Sequence, residues 1–184
     1  LAGCNSNVMT GGAEATPTPE ETATPAPTAT PVACQFYGID ATSALWVIDP
    51  VAITAEVVGD TGVSGITDIA ITSDNVIVGI TETEAYELDA STGEATLLAS
   101  EPWLADQNAL DATADGKLLV GGETALISYD PSTGSKSSEG TMGGGRVFSG
   151  DIATVSASSA LATAKVPNGG GVNDHLYRFN LSSN

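Results

Sequence analysis

The sequence predicts an all-β chain of tandem four-stranded antiparallel units behind a disordered N-terminal tether. Three observations carry this. Aromatics make up 5% of the residues and glycines number 21, while small and β-branched residues dominate the apolar set. That mix suits thin strands and tight turns better than a large helical core. Residues 13–33 are dense in Thr and Pro and have no hydrophobic periodicity. Beyond Cys34 one segment recurs at spacings of 40 and 41 residues.

The first element is the N-terminus. Leu1-Ala2-Gly3-Cys4, followed by the polar run Asn5 to Thr10, resembles the lipobox of bacterial lipoproteins. In that family the signal peptide is cut before the Cys, whose thiol then carries a diacylglyceryl group. The resemblance implies that residues 1–4 are the remnant of a signal peptide with Cys4 lipidated. The membrane is then a partner through the lipid anchor, because two acyl chains hold stably where one does not. It also implies a place in the cell envelope, extracytoplasmic, on the outer surface or in the periplasm.

Residues 5–33 form the tether. The segment 13–33 holds five of the nine prolines and six threonines, and nothing in it offsets the entropy of folding. Proline favours extended polyproline II, so 29 residues reach roughly 90 Å at about 3.1 Å each. Thr/Pro density also permits O-glycosylation. With Cys4 acylated, Cys34 has no intrachain partner and reads as a buried inert thiol or as half of an intermolecular disulfide.

Residues 34–184 carry the repeats. Leu45-Trp46-Val47-Ile48-Asp49-Pro50 recurs as Ala85-Tyr86-Glu87-Leu88-Asp89-Ala90, as Leu126-Ile127-Ser128-Tyr129-Asp130-Pro131 and as Leu176-Tyr177-Arg178-Phe179-Asn180-Leu181. Two copies continue into Ser-Thr-Gly, at 91–93 and 132–134. A second unit recurs between them: Asp68-Ile69-Ala70, Leu110-Asp111-Ala112 and Asp151-Ile152-Ala153. Each unit reads as a four-stranded meander, with strands in the second near 66–72, 76–81, 84–89 and 94–99. Ser73-Asp74-Asn75 and Asp115-Gly116 are hairpin turns between first and second strands. Asp-x-Ser-Thr-Gly is the turn between third and fourth, its Asp accepting backbone N–H groups and its Gly supplying positive φ. Four strands per period of about 40–45 residues indicate propeller blades.

The repeats resemble those of bacterial secreted β-propellers with a Leu-Tyr-x-Ile-Asp-Pro-x-Thr-Gly-x-Ala-Thr-Leu pattern, over most of residues 44–140. The quinoprotein-like and WD-like classes share that architecture. The quinoprotein repeat ends in a Trp that docks blades together. This chain holds Val57, Leu97 and Ser138 in the corresponding places, so no cofactor is expected. The first blade begins at its second strand, with 35–40 and 44–49, and the last stops after its third, at Asn180. About three to four blades, incomplete, are expected, and an N-terminal fragment of a longer propeller with them.

Charge and chemistry narrow the function. The formal net charge is −18, and no Lys or Arg precedes Lys117. Such a surface repels nucleic acid and anionic headgroups. It is either a solvated secreted surface or one that draws divalent or cationic partners. Asp111-Ala-Thr-Ala-Asp115-Gly116 opens like a calcium loop, but its twelfth place is Gly122 rather than Glu, so it reads as a hairpin. His175 is the single His, which excludes a Cys/His metal set and argues no triad. The glycine runs 143–145 and 169–171 lack the Lys of a phosphate loop and read as long loops. Trp46 and Trp103 read as packing residues, with Trp103 in a connection between blades. No catalytic, cofactor or metal residue is assigned. The leading expectation is a surface-displayed binding or scaffold module for a protein or glycan. Its rival is a propeller enzyme, hydrolase or quinoprotein-like, with a site in blades beyond this sequence.

Overall fold

The computed structural model describes residues 35–166 and 174–181. Cys4, the 5–33 tether, Cys34 and the glycine run 169–171 lie outside them. Four sheets follow one another along the chain, each a simple antiparallel meander. The first holds β1 (Phe36–Ile39), β2 (Ala44–Asp49) and β3 (Thr54–Asp60). The second holds β4 (Asp68–Ile71), β5 (Ile77–Ile80), β6 (Glu84–Leu88) and β7 (Ala95–Ser100). β8 (Gln107–Ala112), β9 (Leu118–Gly122), β10 (Ala125–Asp130) and β11 (Ser135–Thr141) make the third, after a single 3-10 turn at Pro102–Leu104. β12 (Val147–Ser156), β13 (Ser159–Lys165) and β14 (His175–Asn180) make the last described sheet. The meanders expected from the repeats are all present.

Alternation along each strand sends successive side chains to opposite faces, so each interior sheet buries both. Leu45 of the first sheet meets Ile77 and Leu88 of the second around Ile66. Val78 and Ile80 meet Leu118, Val120 and Tyr129 of the third. Leu119 and Leu126 meet Phe148, Ile152 and the Ala160, Ala162, Ala164 row of the fourth. β4 lies against β8 and β8 against β12, so the first strands of successive sheets line one axis. The exposed outer strands β7 and β11 form the rim.

The turns explain the recurring Asp. Asp89 Oδ1 accepts the Ser91 N–H at 2.7 Å and the Thr92 N–H at 2.9 Å. Asp130 Oδ1 accepts the Ser132 N–H at 2.9 Å. These bonds, led by the Ser91 and Ser132 hydroxyls, hold both carboxyls below the ordinary range. Gly93 and Gly134 follow at φ 83° and 70°. In the first copy Ile53 takes that place at φ 57°, a conformation costly for a β-branched residue. The calcium-loop look-alike is a hairpin: the Gly116 N–H donates to the Thr113 carbonyl at 3.0 Å, and Lys117 sits 3.1 Å from Asp115.

Candidate functional site

Two places gather polar side chains. The first is the axial edge. A first strand has a neighbour on one side only, so its remaining edge N–H groups need acceptors. Asp68 of β4 supplies one: its Oδ2 accepts the N–H of Leu110 in β8 at 2.7 Å, and its Oδ1 accepts the Ile69 N–H at 2.8 Å. Asp111 of β8 repeats the device, accepting the N–H of Thr154 in β12. The register shows that these are not equivalent repeat positions. Ile71 pairs with Ile77 and Ala112 with Leu118, which places Asp111 level with Ala70 and Ala109 level with Asp68. The unit alignment had set Leu110 there; both hairpins hold five residues between the paired strands, 72–76 and 113–117, which sets Ala109 at that level instead.

Burial pushes the Asp68 carboxyl up to about 6, with a smaller contribution from the charge of Asp151, while its two backbone bonds oppose the shift. Beside it a cavity of about 260 Å³ runs between Tyr37, Gly38 and Ile39 of β1 and Thr67, Asp68, Ile69 and Ile71. A native pKa above the unfolded one means that the folded chain holds the proton more tightly. The stability that protonation supplies is complete below about pH 4 and is lost as pH rises through about 6. Wild type should therefore lose stability relative to Asp68→Asn across that window, measured by urea unfolding at each pH. A difference that stays constant from pH 4 to 7 would exclude this role for Asp68.

The second place is on the rim. Residues 61–67, 101–106 and 142–146 connect successive sheets, and each drops one apolar side chain into the core: Ile66, Leu104 and Met142. The second connection adds Trp103. Its indole N–H donates to Glu101 Oε2, and its ring meets Tyr129 edge-on at 5.4 Å. The Tyr129 hydroxyl donates to Glu101 Oε1 at 3.3 Å. Burial, and then the Glu101 charge, push that phenol up to about 12. Lys136 Nζ lies 3.4 Å from Glu101 and 4.9 Å from the Trp103 ring centre. A cavity of about 290 Å³ opens here, lined by Trp103, Ile127, Lys136, Ser137 and Ser138.

Trp103 thus packs, as read from the sequence, and also walls a surface cavity. Its partners Tyr129 and Lys136 stand 26 and 33 residues downstream, which no local pattern reveals. Trp46 donates to Asp40 Oδ2 at 3.0 Å and takes no part in either place. His175 is exposed at the start of β14. Val57, Leu97 and Ser138 stand opposite Trp46, Tyr86 and Ile127, the equivalent rim position in three sheets. Among the described residues no group of three or more His, Cys, Asp or Glu side chains is placed to hold a metal ion.

No family model matches the chain, and no curated protein matches it. Solved structures do. An auxiliary nutrient binding protein from Bacteroides thetaiotaomicron aligns at TM-score 0.52 and 18% identity, over 73% of this chain and 33% of its own. A luciferin-regenerating enzyme aligns at TM-score 0.52 and 14% identity, over 77% and 52%. TolB from Acinetobacter baumannii aligns at TM-score 0.50 and 20% identity, over 79% and 38%. The chain spans about a third to a half of their lengths. Likeness at such identity speaks for architecture alone, and the architecture is plain: the described residues are consecutive blades of a β-propeller.

Proposed function

We propose that this chain is the propeller-bearing part of an envelope lipoprotein that binds a ligand rather than transforming one. The observation that carries the reading is what the carboxylates do. Asp49, Asp89 and Asp130 close rim turns, Asp68 and Asp111 tie blade to blade, and Glu101 is held by Trp103, Tyr129 and Lys136. Acidic groups that a propeller enzyme gathers for chemistry here serve as acceptors for the scaffold. The lipobox-like Cys4 with its Thr/Pro stalk supports display outside the cytoplasm, on a membrane that the acyl chains enter. The acidic blades disfavour nucleic acid as a partner.

The anchor is tested in the full-length precursor. Cys4→Ser should move the protein from the membrane fraction to the soluble fraction and abolish incorporation of labelled palmitate. A variant that still sediments with membranes, or a wild type that takes up no label, removes the anchor from this reading.

A further inference from the structure

We propose that the rim cavity at Trp103 binds a neutral pyranose sugar. The inference rests on reading the chain as a binding module and names the ligand class of one site.

The wall comes first. Trp103 is half-buried, and its orientation is fixed from two sides by the Glu101 acceptor and the Tyr129 edge. A rigid aromatic held by supporting hydrogen bonds is the arrangement that recognition sites need. The equivalent connection at 61–67 reads Thr-Gly-Val-Ser-Gly-Ile-Thr and that at 142–146 reads Met-Gly-Gly-Gly-Arg, so the aromatic is not demanded by the blade repeat. A departure from an otherwise consistent repeat is where function is expected.

The electrostatics select the ligand. The Lys136 ammonium lies over the Trp103 ring, so that face of the indole attracts positively polarised groups, and a stacking ligand takes its place by swinging the long Lys136 side chain aside. The C–H bonds on one face of a pyranose carry that polarity, and Ile127 extends the apolar floor. A hydroxyl at the sugar's edge meets Ser138, which shares the face of Ile127 and Lys136 and can both donate and accept, with Lys136 as a donor. Glu101 and Lys136 neutralise one another at 3.4 Å, leaving no uncompensated charge to favour an ionic ligand. The stretch from residue 35 to 115 that includes Trp103 carries no Lys or Arg, and its net negative charge opposes anionic glycans. The cavity of about 290 Å³ is at the small end of ligand sites, the scale of one or two sugar rings.

The test follows intrinsic fluorescence in the Trp46→Phe background, which leaves Trp103 as the one indole. The probes are methyl glycosides of neutral hexopyranoses, their disaccharides, and the matching hexuronates. The expected result is saturable quenching by a neutral glycoside at about millimolar affinity. The hexuronate should bind at least about tenfold more weakly. Calorimetry should show binding lost in Trp103→Ala and kept within about threefold in Trp103→Phe, both folded by circular dichroism. No binding across the neutral panel, equal binding of the hexuronate, or binding indifferent to Trp103→Ala would each overturn the proposal. If the chain then captures another ligand elsewhere, the binding-module reading stands without this site.

Discussion

Gly59→Val should lower the melting temperature by roughly 10 °C, the largest effect expected of any single surface-strand change here. β3 crosses the 91–93 turn of the next sheet at Gly59, and the two backbones touch. A Cβ on Gly59 would lie 1.8 Å from the Thr92 carbonyl oxygen, and one on Gly93 would lie 2.7 Å from the Gly59 carbonyl oxygen. Both obstacles are main chain, so no rotamer change relieves the clash and the first sheet must lift from the second. Overpacking costs about 1–3 kcal/mol where side chains can give way, and more where they cannot. At about 3 kcal/mol in a domain of this size the shift is roughly 10 °C. Gly143→Ala is the control, since its Cβ meets nothing within 4 Å. Thermal melts followed by circular dichroism would report the difference. Equal melting of Gly59→Val and Gly143→Ala would mean that the sheets do not meet at this point.

Phe148→Ala should cost about 3–5 kcal/mol. The ring is 3% exposed, stacks on Phe179 at 5.7 Å, and covers Gly121 so closely that a Cβ there would come within 2.7 Å of it. It is the bulk that fills the space between the third and fourth sheets, where the alanine row of β13 supplies little. Gly121→Ala alone should cost about 1–3 kcal/mol, because the ring must move. The double variant should be less destabilised than the two singles added together, since the new methyl enters the space the ring vacated. Urea unfolding of the four proteins measures the coupling, and strict additivity would deny the contact.

Much of this was legible in the residues. The expected strands near 66–72, 76–81, 84–89 and 94–99 lie over the observed β4 to β7, because period-2 alternation and turn chemistry are both local. The Asp-x-Ser-Thr-Gly turns and the Asp115-Gly116 hairpin were readable for the same reason. The placement of Asp111 was less so: the triplets 68–70 and 110–112 look alike, yet the equal five-residue hairpins set them one residue apart. The roles of Asp68 and Asp111 were not: an Asp in a strand looks solvated until the neighbouring sheet supplies an N–H. Gly59 did carry a signal, as a glycine inside a strand marks a close backbone approach. Glu101-Pro102-Trp103 was visible as a connection. Its cavity depends on Lys136 and Ile127, which only folding brings near.

The axial carboxylates also bear on the order in which the chain acquires structure. The Asp68–Leu110 and Asp111–Thr154 bonds close loops of 42 and 43 residues, and every described core cluster joins sheets adjacent along the chain. Among the described residues no core cluster waits for a distant segment, so the entropy of closure comes in equal modest steps. Assembly can then proceed from the N-terminal side, each arriving sheet templated by its predecessor. The earliest unit able to hold itself together is a pair of sheets, since the 36–60 meander alone has no second layer over Leu45. Up to the arrival of residues 77–93, nascent chain exposes its strand edges, and the unbroken negative charge of that stretch keeps neighbouring chains apart while they wait.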